Sequence, residues 1–238
     1  MTERIGAIVL AGGRGSRMNS DVQKQYMLLD GRPLLLYSLE AFERSVVDEI
    51  ILVVGAGEEE YVRREILEPA GLRKVTAVVI GGKERYHSVY SGLCALKNCD
   101  YVLIHDGARP LVDQRMINRS IAGARAERAC VVGMPVKDTI KVADSNQYAV
   151  DTPDRSLLWQ VQTPQAFSYP LIRGAYEQMM ADPSLQIGVT DDAMVAEKLT
   201  GTRIKLVEGS YENLKVTTPE DLVLAEALLK RRASSDKL

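Results

Sequence analysis

Cysteine is scarce, and the three that occur form no pair: Cys94, Cys99 and Cys130 are odd in number and contain no C-x-x-C spacing. This argues against a disulfide framework or a thiolate metal site, and buried free thiols are expected. Histidine is scarcer still. His87 and His105 have no metal-ligand spacing and are expected to serve the structure rather than the chemistry. There is no basic excess either: 30 Lys and Arg stand against 32 Asp and Glu, so nucleic acid is not the expected partner. No apolar run approaches the roughly 18 residues of a membrane span, and the N-terminus opens on a strand rather than a signal peptide. No membrane partner is expected, and the cytoplasm is the expected compartment. Internal repeats and low-complexity segments are also absent.

What is present is enough for a substantial core. A chain of 238 residues, 46% hydrophobic and 26% charged, reads as globular, and one α/β domain over 1–238 is expected. Apolar runs at Ile5–Leu10, Glu49–Val54, Val75–Ile80, Tyr101–His105 and Cys130–Pro135 read as strands. Between them, Pro33–Arg44, Glu58–Glu68, Tyr86–Leu96 and Gln114–Arg128 read as helices. That alternation predicts a Rossmann-like, mostly parallel sheet with helices on both faces. After Pro135 the rhythm breaks. The stretch to Gln165 alternates β-branched and polar residues around a "DSNQ" turn, and predicts an extended β-hairpin arm, 136–160, with little to bury its apolar side chains. A hairpin alone is marginal in water, so a second subunit is a natural partner. Helices then resume at Tyr169 and Ala193–Leu199, followed by a strand at Arg203–Val207. A last helix begins at Pro219, with Thr218 as N-cap and acids in its first turn.

The stretch "GAIVLAGGRGSRM" from Gly6 runs a buried strand straight into a glycine-rich turn. It is not a P-loop, because no Lys-Ser or Lys-Thr pair follows the glycines. It is a poor dinucleotide fingerprint as well: Met18 stands where the third glycine belongs, and the second strand ends at Val54-Gly55 without a ribose-binding acid. What remains is a set of backbone N–H groups beside Arg17 and Lys24, a combination suited to phosphate oxygens and to charge that grows in a transition state.

"LAGGRGSRM" with "KQY" resembles the signature of sugar-nucleotide pyrophosphorylases and related nucleotidyltransferases. "GGKERYHSV", "HDGARP", "PVKDTIK", "WQVQTPQAF", "TDDA" and "NLKVTTPEDL" follow in order. Together they resemble the 2-C-methyl-D-erythritol 4-phosphate cytidylyltransferase family over nearly the whole chain. The resemblance implies that the phosphate of methylerythritol 4-phosphate attacks the α-phosphorus of CTP and expels pyrophosphate, with Mg²⁺ or another divalent cation such as Mn²⁺ as cofactor. It implies catalytic roles for Arg17, Lys24 and Lys215. Ala11, Gly12, Gly13, Gly15, Gly82, Lys83, Ser88, Asp106 and Gly107 would bind CTP. Asp106, Arg109, Thr139, Arg155, Thr163 and Thr190 would bind the sugar phosphate. Asp106 would also hold the metal. The same resemblance makes the hairpin arm a dimerisation element, so that Thr139 and Arg155 complete the partner's site in a homodimer.

Two alternatives stay open in the sequence. "LAGG" at Leu10–Gly13 also occurs in ribitol 5-phosphate cytidylyltransferases, which share CTP and mechanism, and a catalytically silent nucleotide-binding module would keep the same cradle. The chain ends soon after its last helix, so a fused second catalytic domain is not expected.

Overall fold

The computed structural model describes residues 3–13 and 23–235. Gly15 and Arg17 lie outside the described residues. Strand β1 (Ile5–Leu10) leads to the two-residue strands β2 (Leu28–Leu29) and β3 (Arg32–Pro33), helix α1 (Leu34–Glu43) and strand β4 (Glu49–Val54). The next helical segment is interrupted: α2 (Glu59–Val62) and α3 (Glu68–Ala70) flank a π-helical turn, Arg63–Leu67. Then follow β5 (Val75–Ile80), α4 (Arg85–Ala95), β6 (Tyr101–Asp106), α5 (Gln114–Glu127) and β7 (Ala129–Pro135). The last third contains β8 (Val142–Ala143), β9 (Ala149–Asp151), β10 (Trp159–Ser168), α6 (Tyr169–Ala181), α7 (Asp192–Thr200), β11 (Lys205–Glu208) and α8 (Pro219–Ser235).

Seven strands form one sheet in the order β11-β7-β10-β6-β1-β4-β5. Every pairing is parallel except the two made by β10. Alternation along the strands supplies both faces: Ile50, Leu52 and Val54 of β4 join one core with α1 and α5, whereas Ile51 and Val53 join the other with α4, α6 and α7. A third, smaller cluster packs Ala225 of α8 on Leu29, Leu34 and Val216. Chain order reverses beside β1, which has β4 on one side and β6 on the other. The carboxyl ends of β1 and β6, where Leu10 pairs with Asp106, therefore open a crevice at the topological switch point.

Three expectations need correction. The extended segment after Pro135 is not all arm, because Trp159–Ser168 is a central strand, antiparallel to both β6 and β7. Its polar residues Gln162, Thr163 and Gln165 are buried and hydrogen-bonded. The projecting ribbon is β8 and β9, paired around Asp144, whose carboxylate accepts from the backbone of Asn146 and Tyr148; every residue from 137 to 152 is exposed. The helix expected over Glu58–Glu68 is the interrupted segment just described. Cys99 and Cys130 are buried, and burial pushes both thiols up to about 12, but Cys94 is exposed on α4. The N-terminus of α8 is as expected: Thr218 caps it through a 3.4 Å bond from the Asp221 N–H, and Asp221 accepts from the Thr218 N–H at 2.9 Å.

Candidate active site

The crevice at the switch point is a cleft of about 630 Å³. It is lined by the end of β1 and the turn after it, Leu10 to Gly13, and by Gly82 to Arg85 and Ser88 at the start of α4. Lys24, Gln25, Asp106, Ala108 and Lys215 complete the lining. Four of the described lining residues are cations and two are carboxylates, which suits a polyanionic occupant.

Each wall is positioned by local chemistry. Lys24 opens a short 3₁₀ turn, Lys24–Tyr26, and its two neighbours fix it. The Gln25 amide, almost fully buried, donates to the Ala11 carbonyl, and the Tyr26 hydroxyl donates to Glu58 at 2.5 Å. Burial and then Glu58 raise the Tyr26 hydroxyl well above its ordinary range, so it remains a donor. Ahead of α4 the Gly82 N–H donates to the Ser88 hydroxyl at 3.1 Å, and a Cβ on Gly82 would meet the Cβ of His87 at 2.3 Å. His87 accepts from the Glu84 N–H as part of the capping box of α4, a structural role as expected.

Asp106 is the electrostatic centre. It is the last residue of β6, and its backbone N–H donates to the Thr163 hydroxyl at 3.1 Å. One carboxylate oxygen, Oδ1, accepts from Arg85 Nε at 3.2 Å, and the other, Oδ2, lies 2.8 Å from Lys215 Nζ. Burial alone would raise this carboxyl, but Arg85 first and then Lys215 outweigh it and hold the group far below the usual carboxylate range. Lys215 is placed by its neighbours: Val216 is fully buried and its N–H donates to the Ala108 carbonyl at 2.8 Å, while Asn213 donates to the Thr163 carbonyl at 2.9 Å.

The structure brings together Ala11, Gly12, Gly13, Lys24, Gly82, Lys83, Ser88, Asp106 and Lys215 in one cleft. Among the described residues, the other sequence-predicted ones do not line it. The Gly107 N–H is committed to the Leu10 carbonyl, and a Cβ there would strike Leu35 at 2.7 Å. Arg109 does not pair with Asp106 but donates to the Asn213 carbonyl at 2.6 Å; burial, opposed by Asp106, lowers its pKa, and its Nε is buried without a partner. The Thr163 hydroxyl is buried between the Asp106 N–H and His105. Thr139, Arg155 and Thr190 are exposed, with Arg155 donating to the Lys137 carbonyl at 2.7 Å. Sequence reasoning missed Arg85 and its partner Asp192. Both lie inside motifs singled out above, "GGKER" and "TDDA", but 107 residues separate them and nothing local links the two.

The donor set bears on a metal. Among the described residues no group of three His, Cys, Asp or Glu could hold an ion unaided. One carboxylate facing a cation-rich cleft does fit a Mg²⁺ that arrives on phosphate oxygens, since that ion takes one or two carboxylates and keeps the rest of its shell as phosphate and water.

Known proteins resemble this chain in sequence and in fold along almost its whole length. The profile of the family described as 2-C-methyl-D-erythritol 4-phosphate cytidylyltransferase matches residues 5–231. Relatives of that description from Lachnoclostridium phytofermentans and Lachnospira eligens are 51% and 52% identical, over 96% and 94% of this chain and 97% and 98% of theirs. The crystal structure of 4-diphosphocytidyl-2C-methyl-D-erythritol synthase from Anaerococcus prevotii superposes with a TM-score of 0.83 at 34% identity, covering 96% of each chain. That of 2-C-methyl-D-erythritol 4-phosphate cytidylyltransferase from Thermus thermophilus gives 0.75 at 30% identity, covering 95% of this chain and 99% of that one. No helix among the described residues is long and apolar enough to cross a membrane. With its profile, its relatives and its fold in agreement along almost the whole length, this chain belongs to the 2-C-methyl-D-erythritol 4-phosphate cytidylyltransferase family.

Proposed function

We propose that the chain transfers CMP from CTP to 2-C-methyl-D-erythritol 4-phosphate, giving 4-diphosphocytidyl-2-C-methyl-D-erythritol and pyrophosphate. The observation that carries this reading is that Asp106, gripped by Lys215 and Arg85, shares one cleft at the switch point with Gly12, Gly13 and Lys24. The reaction is an in-line displacement at the α-phosphorus in which two anions must meet, so positioning and charge neutralisation dominate its barrier.

The backbone amides at Gly12 and Gly13 would cradle the triphosphate, with Lys24 and Lys215 bracing the α-phosphate as its charge grows. Arg17, expected to join them, lies outside the described residues. Gly82 and Ser88 would read the cytosine edge, which requires the bond between them to open toward the base, and Lys83, exposed on the same wall, would lie near the ribose. Asp106 would hold Mg²⁺ together with phosphate oxygens. When bound, that ion neutralises the triphosphate and the departing pyrophosphate. No enzyme nucleophile is needed, and neither histidine offers a base: His87 caps α4, and burial pulls the His105 ring down to about 4.

Of the residues expected at the sugar phosphate, Thr190 is exposed in the same protomer, Arg109 and Thr163 would have to exchange the Asn213 carbonyl and the Asp106 N–H for it, and Thr139 and Arg155 would reach it from the arm of a second subunit. Support for the arm's role lies in its exposed Val142, Tyr148, Val150 and Leu157, which no other part of the chain covers among the described residues. The family match favours methylerythritol phosphate over ribitol 5-phosphate. The test is pyrophosphate release with CTP and Mg²⁺, comparing the two polyol phosphates, with ATP, GTP and UTP as controls. Release with methylerythritol 4-phosphate and CTP alone is expected. Release only with ribitol 5-phosphate would move the substrate, and silence with both would favour a nucleotide-binding module.

A further inference from the structure

Behind the cleft wall lies an ionic strut. Arg85, the first residue of α4, uses every guanidinium nitrogen: Nε donates to Asp106 Oδ1 at 3.2 Å, Nη1 to Asp192 Oδ1 at 2.9 Å and Nη2 to Asp192 Oδ2 at 2.8 Å. Asp192 is fully buried at the start of α7 and accepts a third bond, at 2.5 Å, from the hydroxyl of the equally buried Tyr176 of α6. The start of α7 is itself tied to the sheet. Gln165 of β10 accepts from the Ala193 N–H at 2.9 Å and donates to Asp191 at 3.0 Å. One end of Arg85 is thus fixed to two helices and a central strand, and the other end touches the carboxylate that faces the cleft.

We propose that Arg85 is a positioning residue for cytidylyl transfer: clamped by Asp192, it fixes the plane of the Asp106 carboxylate so that Oδ2 is the oxygen presented to Lys215 and the nucleotide. The inference rests on the function proposed above. Stability alone does not account for the strut, because replacing a buried ion pair by apolar side chains is often neutral or stabilising. Here the pair is retained where it reaches a functional carboxylate. The fork geometry is essential, since three directed N–H groups in one plane meet two carboxylates. A lysine ammonium is a point charge and cannot hold both in fixed orientation.

The test is steady-state pyrophosphate release with CTP and methylerythritol 4-phosphate for wild type, Arg85→Lys, Asp192→Asn and the double variant, with melting temperature and circular dichroism for each. Wild-type turnover tests the function itself, and without it both readings fall. Given turnover, kcat of Arg85→Lys should drop about 100-fold, the scale of a displaced catalytic group, with KM for CTP held within about threefold. Asp192→Asn, which keeps size and the Tyr176 contact, should lose about tenfold in kcat, and the double variant should be no worse than Arg85→Lys because the two act as a unit. A folded Arg85→Lys with wild-type kcat overturns the inference. So does a double variant whose losses multiply, or activity that falls only with the folded fraction. Should Arg85→Lys not fold, Asp192→Asn decides by the same split, with unchanged kcat as the overturning result.

Discussion

Acidification should weaken this fold through His105. The ring is fully buried, edge-on to Phe42 at 5.3 Å, with Nδ1 paired to the Thr163 hydroxyl at 3.0 Å and Nε2 to the Arg109 carbonyl at 3.3 Å. Burial disfavours the imidazolium most; Asp106 opposes that, Arg109 and Lys215 add to it, and the pKa falls from 6.5 to about 4. The unfolded chain therefore takes up a proton near pH 6.5 that the folded chain refuses until about pH 4. The associated stability is fully present above pH 6.5 and is lost as pH falls between those values. At about 1.4 kcal/mol per pH unit the whole loss is about 3 kcal/mol, with about 2 kcal/mol of it gone by pH 5. That is a large share of the roughly 5–15 kcal/mol that holds a domain folded. Urea unfolding followed by circular dichroism from pH 7.5 to 5 should show wild type losing about 2 kcal/mol more than His105→Gln, which keeps a donor and an acceptor but cannot take the proton. His87 is common to both proteins and cancels. Parallel stability profiles would refute the reasoning, because they would mean that the buried ring titrates normally or is not neutral.

Lys24→Ala should lower kcat about 100-fold or more while calorimetry finds CTP affinity within about tenfold, as for loss of one transition-state donor. Equal losses would mean that Lys24 only holds the ground-state triphosphate. Gly82→Ala forces a Cβ against His87, and overpacking of about 1–3 kcal/mol should appear as a KM for CTP raised about tenfold with little change in kcat. An unchanged KM would remove Gly82 from the base site. For the arm, Val150→Asp with Leu157→Asp should convert a dimer to a monomer in sedimentation equilibrium and reduce turnover with it. A wild type that sediments as a monomer would sink the shared site.

The alternation of strands and helices was legible because strands covered on both faces read as unbroken apolar runs, as Ile5–Leu10 and Glu49–Val54 do. The glycine turn, Lys24, Asp106 and Lys215 were legible because each lies in a compact motif, and the fold brings them to one crevice. β10 was not legible. Three of its six buried positions hold Gln162, Thr163 and Gln165, whose partners lie 28 to 57 residues away, beyond the reach of any local pattern. Arg85 was hidden for the same reason, as was the backbone carbonyl of Asn213 that holds Arg109.

That polar strand also explains how loops so far apart in sequence hold a fixed site. Thr163 accepts from the Asp106 N–H at 3.1 Å. Gln162 donates to the Ser210 carbonyl at 2.8 Å and accepts from Asn213 at 3.2 Å, in the loop that carries Lys215. Gln165 holds the turn that carries Asp192. Three site-bearing segments are thus anchored to one strand, beside a break in its ladder with β7 between Val161 and Gln165. The register with β7 shifts across this stretch, so Gln162 and Thr163 stand where the regular ladder is interrupted. Apolar residues at these positions would bury more oil-like surface but would leave the N–H groups of Asp106 and Ala193 and the carbonyl of Ser210 unpaired, at about 1–3 kcal/mol each. The polar choice costs little in stability because no side-chain polar atom of Gln162, Thr163 or Gln165 is buried without a partner. It fixes the relative positions of Asp106, Lys215 and Arg85, on which the proposed in-line transfer would depend.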